Sequence, residues 1–204
     1  QSTLKQASGD FTTTLDRTIQ RSLETHLKRH AREIDCSAAG VVIETATGAV
    51  RALSCSDDYF SGDDGQVNTA LAPRPAGSTL KPFVMAAALD MGIVTPGQTL
   101  LDVPRHFSDG YSPVNFDSSF RGRVSAAHAL VLSLNIPFID LVAKIGITRF
   151  HATLHALGLS TISRDAHTHG AGIATGNADV RLLDLANAYA AIARGGVYTL
   201  PQAL

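Results

Sequence analysis

The 204-residue sequence lacks the features that mark several common classes of protein. Its formal net charge is −1, so it has no excess of positive charge for binding nucleic acid or an anionic membrane surface. No stretch approaches the roughly 18 apolar residues that a membrane-spanning helix needs. The N-terminus shows no signal peptide and no initiator methionine, so we expect a fragment or a processed chain. A hydrophobic fraction of 45% predicts one globular domain, with or without an appendage.

Cysteine is also scarce, since the chain has only Cys36 and Cys55. They flank a predicted hairpin in which Ala38 faces Cys55, so that Cys36 lies two residues beyond the facing position. Such diagonal neighbours are roughly 7–8 Å apart, which is long for a disulfide. Frayed strand ends in an oxidising compartment would still allow the bond, so the sequence leaves a disulfide open.

Hydrophobic periodicity predicts a mostly helical chain with a single hairpin. The first helix begins after Thr13, whose spacing to Asp16 resembles a capping box. Loops are predicted for the polar N-terminal residues and for 57–65, 95–120 and 161–177. The predicted helices span 14–34, 78–90, 125–132, 137–146, 148–157 and 180–194, and the predicted strands span 39–43 and 49–53. A two-stranded hairpin is marginal alone, so we expect more sheet than this chain supplies and a chain that is cut short at its C-terminus.

A candidate nucleophile stands at the start of the predicted helix 78–90, where Ser78 is followed by Lys81. Residues three apart share one face of a helix, so the lysine can reach the serine hydroxyl. A serine needs a neighbouring base, and a lysine is a base only when it is neutral. The apolar run after Lys81 predicts burial, and the helix N-terminus adds positive potential; both effects lower the lysine pKa. The alternative is a capping serine with a solvent-exposed lysine, because a lone S-x-x-K pattern is weak.

A second pattern, Ser133-x-Asn135, stands in a predicted turn between two helices. Together the two patterns resemble the penicillin-recognising serine enzymes. The surrounding residues resemble the transpeptidase domain of class A penicillin-binding proteins, and residues 102–105 and 115–117 are closest to the 1C type. The segments that carry the resemblance are 66–70, 74–82, 111–117, 132–137 and 185–196.

The resemblance implies an α+β fold of the penicillin-recognising transpeptidase and β-lactamase type, with a helical subdomain and an N-terminal hairpin. It implies a linker helix over 1–36 and a transpeptidase domain over 37–204. The implied activity is peptidoglycan cross-linking by D,D-transpeptidation, with peptidoglycan stem peptides as substrates and β-lactams as inhibitors. Neither cofactor nor metal is implied. Full-length members carry a glycosyltransferase domain and a membrane anchor, and act at the periplasmic face of the inner membrane; this fragment is expected to be soluble.

The family also implies roles for four residues: Ser78 as nucleophile, Lys81 as base, Ser133 as proton relay and Asn135 as the group that orients the lysine and the substrate. The family's third motif, Lys-Thr-Gly, is absent from the sequence. That motif lies on a strand that forms one wall of the cleft and supplies one oxyanion donor. We therefore expect the chain to be poorly active or inactive unless a partner chain completes the sheet.

Several alternatives stay open. A related D,D-carboxypeptidase, or a non-catalytic β-lactam-sensing or scaffold domain, would carry the same motifs. A β-lactamase is disfavoured because the three glutamates, Glu24, Glu33 and Glu44, all precede Ser78. His151 and His155 have the i, i+4 spacing of metal ligands, with His167 and His169 nearby, but surface histidines are the favoured interpretation. Asp184 and Asn187 are expected to serve helix packing and solvent contacts.

Overall fold

The computed structural model describes residues 12–55, 67–106 and 112–203, which fall into two compact units. Unit 1 contains the chain up to residue 72 and again from residue 182, and unit 2 contains residues 73–181. Helices and antiparallel strand pairs occur in the chain, which confirms the α+β class. The predicted loop at 57–65 and the predicted polar N-terminal loop at 1–10 lie outside the described residues. The predicted domain boundary at residue 36 stays a prediction.

Unit 1 begins with helix α1, Arg17–Glu33. The predicted capping box at Thr13 is wrong, because Asp16 is the N-cap residue. Its carboxylate accepts hydrogen bonds from the backbone N–H groups of Thr18 and Ile19 at 2.8 and 2.9 Å. Aspartate is a strong N-cap because it satisfies donors that have no partner within the helix.

The hairpin follows as strands β1, Ala39–Ile43, and β2, Val50–Cys55. The pairing shifts by one residue between Val42 and Ile43, so Ala39 rather than Ala38 faces Cys55. Sequence alone does not predict such a bulge. Both cysteines are free: Cys36 is exposed, and the Cys55 thiol donates to the Asn68 side chain at 3.4 Å.

Helix α1 packs on the hairpin at Gly40, where a Cβ would lie 2.6 Å from a methyl carbon of Leu23. The last helix, α6, spans Leu182–Ala193, and its buried Asn187 donates to the carbonyl oxygen of Thr199 at 2.7 Å. This contact confirms the packing role expected of Asn187. The chain then returns to the hairpin, where Gln202 exchanges backbone hydrogen bonds with Val50 and Gly48.

Unit 2 contains four short strands that the sequence did not predict. Strand β3, Arg74–Pro75, pairs with β6, Asp179–Val180, and strand β4, Thr99–Asp102, pairs with β5, Gly122–Ser125. The helix predicted from residue 180 therefore begins later, and the predicted 95–120 loop contains a strand. Segments of two to four residues show no clear period, so their pairing depends on tertiary contacts.

Helix α4, Ile136–Ile145, is the centre of unit 2 and is buried along most of its length. Around it lie α2, Lys81–Asp90, α3, Ala126–Val131, and α5, Ile147–Ala156. Two 3₁₀ turns, Ala166–Thr168 and Gly170–Thr175, occupy what was predicted to be an open loop. Prolines at the first turns of α2 and α4 fit there without loss of a hydrogen bond, as expected.

Side chains from these elements form one apolar core. The largest of them, each at most 1% exposed, are Leu80, Phe83, Ile136, Phe138, Ile139, Leu141, Phe150, Leu154, Leu159 and Ile173. Burying one side chain of this size contributes about 1.5–3 kcal/mol. The core thus gives α2 and α4 a fixed relative position, which is the condition for a site made from their residues. None of the helices in the described ranges combines the length and the apolar character that crossing a bilayer requires.

Candidate active site

Ser78 lies in a 3₁₀ turn, Gly77–Leu80, that runs directly into α2, so the α-helix begins three residues later than predicted. The turn is held by the backbone behind it, since Gly77 N–H donates to the carbonyl oxygen of Gly176 at 2.9 Å. Gly176 has a φ of +77°, and a Cβ there would lie 1.8 Å from the Gly77 carbonyl oxygen. A side chain cannot fit at that distance, so glycine is required. Ser78 itself is an exposed residue.

Lys81 is the first residue of α2 and is 1% exposed. Its Nζ lies 3.0 Å from the hydroxyl oxygen of Ser78 and 3.1 Å from that of Ser133. Nζ also donates to the backbone carbonyl oxygen of Ser133 at 2.5 Å and to Oδ1 of Asn135 at 2.7 Å. The four residues singled out from the sequence therefore meet around one nitrogen atom.

Burial lowers the pKa of Lys81 from its ordinary value of 10.5 to about 8. The physical cause is that an ammonium ion loses hydration in the interior, which favours the neutral amine. The ring of Phe138 covers one side of the amine, with its centroid 5.9 Å from Nζ. With a pKa of about 8, about one lysine in ten is neutral at pH 7. Lys81 is therefore suited to accept a proton near neutral pH.

Ser133 adopts a backbone conformation that is unfavourable for a residue with a side chain. Its φ is +53°, in the left-handed region, which costs about 1–2 kcal/mol. The turn is nevertheless anchored after α3, because Ser133 N–H donates to Leu130 O and Leu134 N–H donates to Ala129 O, each at 3.0 Å. Leu134 is also buried. The conformation aims both the carbonyl oxygen and the hydroxyl of Ser133 at Lys81.

Asn135 stands at the N-cap position of α4, but its side chain caps nothing. Its Nδ2 donates to the Val114 carbonyl oxygen at 2.6 Å, which leaves Oδ1 facing Lys81. Its backbone N–H donates to Oδ1 of Asn115 at 2.7 Å. A side chain from a distant loop thus satisfies the free N–H at the helix start, while the asparagine amide is directed to the lysine.

Sequence reasoning missed the role of two polar residues beside this site, Asp102 and Asn115. Both are buried: Asp102 is 0% exposed and Asn115 is 4% exposed. The sequence links them only to a family resemblance, although an aspartate between the apolar residues Leu101 and Val103 is a usable signal. Asn115 Nδ2 donates to both carboxylate oxygens of Asp102, at 3.0 and 2.9 Å.

The histidine alternative finds no support. The rings of His151 and His155 are 4.5 Å apart, and the Nε2 atoms of both face the carbonyl oxygen of Ser163, at 2.5 and 3.5 Å. Within the described ranges, no group of three or more His, Cys, Asp or Glu side chains is arranged to hold a metal ion. His151 is buried, so its assignment as a surface residue is wrong. Its ring is held by a backbone carbonyl instead.

Comparison with known proteins agrees with this geometry. The profile of the penicillin-binding protein transpeptidase domain matches residues 38–204. The chain therefore belongs to the transpeptidase domain family of the penicillin-binding proteins. It is similar to penicillin-binding protein 1C of Escherichia coli (strain K12), with 37% identity over 198 residues, which is 94% of this chain and 25% of that protein.

Two further matches, a curated protein and a solved structure, come from Mycobacterium tuberculosis. Penicillin-binding protein 1A is 32% identical over 206 residues, covering 94% of this chain and 24% of that protein. The structure of PonA1 in complex with penicillin V superimposes with a TM-score of 0.80 and 29% identity, covering 99% of this chain and 56% of that chain. The chain thus spans about a quarter of the length of these curated relatives.

Proposed function

We propose that this chain is the acyl-transfer domain of a peptidoglycan D,D-transpeptidase that works through a serine acyl-enzyme. The observation that carries the proposal is the contact of 3.0 Å between Ser78 Oγ and Lys81 Nζ, made by an exposed serine and a buried lysine. A hydroxyl that must meet substrate needs exposure, and its base needs burial to be neutral. The membership in the transpeptidase domain family supports the same reaction class.

In the acylation step, Ser78 Oγ attacks the carbonyl carbon of the penultimate D-alanine in a donor stem peptide. The hydroxyl proton passes to the neutral Nζ of Lys81. The Ser78 backbone N–H lies in the first turn of its helix, where it has no partner within the helix, and it stabilises the developing oxyanion. The C–N bond then breaks, and the terminal D-alanine leaves with a proton on its amine.

Ser133 and Asn135 serve the proton transfers. The Ser133 hydroxyl, 3.1 Å from Lys81 Nζ, carries the proton from the lysine toward the departing amine. Asn135 holds the lysine through Oδ1 and binds the substrate amide. In the second step an amine of a neighbouring stem peptide attacks the ester and loses a proton to the same relay, and Ser78 is released with its hydroxyl restored.

A β-lactam would enter the same reaction as the donor. Ser78 opens the ring by breaking its C–N bond, and the leaving nitrogen stays tethered to the acyl group, so the ester persists. A relative with the same fold, PonA1, has been solved in complex with penicillin V. No cofactor and no metal takes part in this scheme.

The proposal extends to the whole protein from which such a domain comes. The curated relatives are about four times as long as this chain, which leaves room for a glycosyltransferase domain and a membrane anchor. We place the full-length protein at the periplasmic face of the bacterial inner membrane.

A further segment carrying the family's third motif would complete the sheet of unit 1. Within the described ranges β1 pairs only with β2, and a groove of about 480 Å³ lies beside β1, lined by residues that include Val41, Ile43 and Ala190. Without that segment, acylation is slow, because loss of one oxyanion donor alone lowers rates about 10²–10³-fold.

The proposal is tested by intact mass spectrometry after incubation with a penicillin, with Ser78→Ala as the matched control. We expect an adduct of the mass of the intact penicillin on the wild-type chain or on a chain extended past Leu204, and none on Ser78→Ala. An adduct that persists while no stem peptide is cross-linked would favour the alternative of a β-lactam-binding domain. No adduct on either chain would refute the catalytic proposal.

A further inference from the structure

Asp102 has a buried carboxylate, and no positively charged side chain among the described residues forms an ion pair with it. It is the last residue of β4 and is 0% exposed. Both of its oxygens lie within hydrogen-bond distance of Asn115 Nδ2 and share one N–H of that amide, and one of them also accepts from the backbone N–H of Arg121 at 2.8 Å. The guanidinium of Arg121 turns away and pairs with the exposed Asp117. Because a buried carboxylate is costly to desolvate, its presence calls for a role beyond packing.

The Asp102 carboxylate fixes the orientation of the Asn115 side-chain amide. Asn115 Nδ2 donates to Asp102 and to the carbonyl oxygen of Ser119 at 2.8 Å, so its hydrogens meet acceptors only. The opposite orientation would set the amide oxygen against a carboxylate and a carbonyl, which is repulsive. Asn115 Oδ1 is therefore fixed as the acceptor for the backbone N–H of Asn135.

We propose that Asp102 and Asn115 are positioning residues that hold the side-chain oxygen of Asn135 against Lys81. The chain of contacts runs from the Asp102 carboxylate through the Asn115 amide to the Asn135 backbone, and from the Asn135 side chain to Lys81 Nζ at 2.7 Å. Neither residue lies at the reacting atoms. The inference deepens the proposed function and rests on it only for the catalytic consequence.

The catalytic consequence is a slower acylation. A displacement of about 1 Å at a positioned group can lower a rate roughly 10²-fold. We therefore expect Asp102→Asn and Asn115→Ala to lower the rate of acylation by a penicillin roughly 10- to 100-fold. The matched control is Asp117→Asn, which removes an exposed carboxylate from the same loop and should leave the rate near that of the wild type.

A second readout does not require acylation. The acceptors that the described residues place on Lys81 Nζ are all uncharged, from Ser78, Ser133 and Asn135, so loosening Asn135 removes a partner of the ammonium form. The Lys81 pKa should then fall further, because a hydrogen bond to the charged form is lost. The ¹³Cε resonance follows this titration, and with four lysines in the chain the Lys81→Met spectrum identifies it.

Two variants keep the test independent of any single fold defect. Asp102→Asn removes the charge, whereas Asn115→Ala keeps the charge and cuts the connection, and urea unfolding checks that each variant is folded. The inference predicts a lower Lys81 midpoint in both and an unchanged midpoint in Asp117→Asn. Midpoints in both variants that coincide with the wild type would overturn it, even if a penicillin adduct forms. Shifted midpoints without any adduct would support the positioning and count against the proposed function instead.

Discussion

The amine of Lys81 lies 3.0 Å from the hydroxyl of Ser78 while being almost completely removed from solvent. The lysine is placed by α2, whose core residues bury its stem, and the serine by the 3₁₀ turn that precedes it. Burial and proximity thus come from one local structure, so that a single helix start supplies both the candidate nucleophile and a lowered lysine pKa.

The depressed pKa of Lys81 has a consequence for stability. Its folded-state value of about 8 lies below the ordinary value of 10.5, so between these values the unfolded chain binds more protons than the folded chain. Below pH 8 both states are protonated, and the folded state carries the penalty of a buried ammonium. The free energy of unfolding should therefore rise with pH across this window, by about 3 kcal/mol in total.

Urea unfolding of the wild type and of Lys81→Met, measured from pH 7 to 11, isolates this contribution because other titrations cancel in the difference. We expect the difference to be constant below about pH 8 and to grow in favour of the wild type up to about pH 10.5. A difference that stays flat across the whole range would mean that the lysine keeps its ordinary pKa.

Gly176 should tolerate no side chain. Gly176→Ala forces a Cβ against the Gly77 carbonyl and strains a left-handed backbone, so we expect a loss of at least about 2 kcal/mol and displacement of the Ser78 turn. Gly97→Ala is the matched control, because a Cβ there meets nothing within 4 Å. Its stability should stay within about 0.5 kcal/mol of the wild type. Equal unfolding midpoints for the two variants would contradict the close approach of Gly77 and Gly176.

Phe138 should serve both the core and the lysine. Phe138→Ala removes a fully buried ring and is expected to cost about 3–5 kcal/mol. It also admits water beside Nζ, so the Lys81 pKa should rise. Phe150→Ala is the control, since Phe150 is equally buried but lies on α5. Both variants should lose similar stability. The midpoint of the Lys81 ¹³Cε titration should change only in Phe138→Ala. Equal midpoints in the two variants would refute the role of the ring.

Sequence reasoning singled out the four residues that the structure brings together around Lys81 Nζ. Ser78 and Lys81 follow from helical spacing, and Ser133 and Asn135 from a second pattern whose meaning came from the family resemblance. The main helices were also predicted, since their apolar stripes are long enough to show a period. The roles of the four residues remain proposals until the acylation experiments are made.

The features that were missed depend on contacts between distant parts of the chain. The strand pair β3–β6 joins residues about a hundred positions apart, and neither strand is long enough to show a pattern. The bulge changes the residue that faces Cys55 by one position. A prediction that assumes regular pairing along the whole hairpin cannot include it. Asp102 and Asn115 show their importance only once both are seen to be buried together.

We propose that neutral Lys81 activates Ser78, and the pH dependence of the acylation rate tests this role. The measurement is the rate of adduct formation with a fluorescent penicillin from pH 6 to 9.5, on the longest chain that forms the adduct. We expect the rate to rise about tenfold per pH unit at low pH and to level off with a midpoint near pH 8. A rate independent of pH between 6 and 8 would contradict it, because the proton acceptor would then be another group.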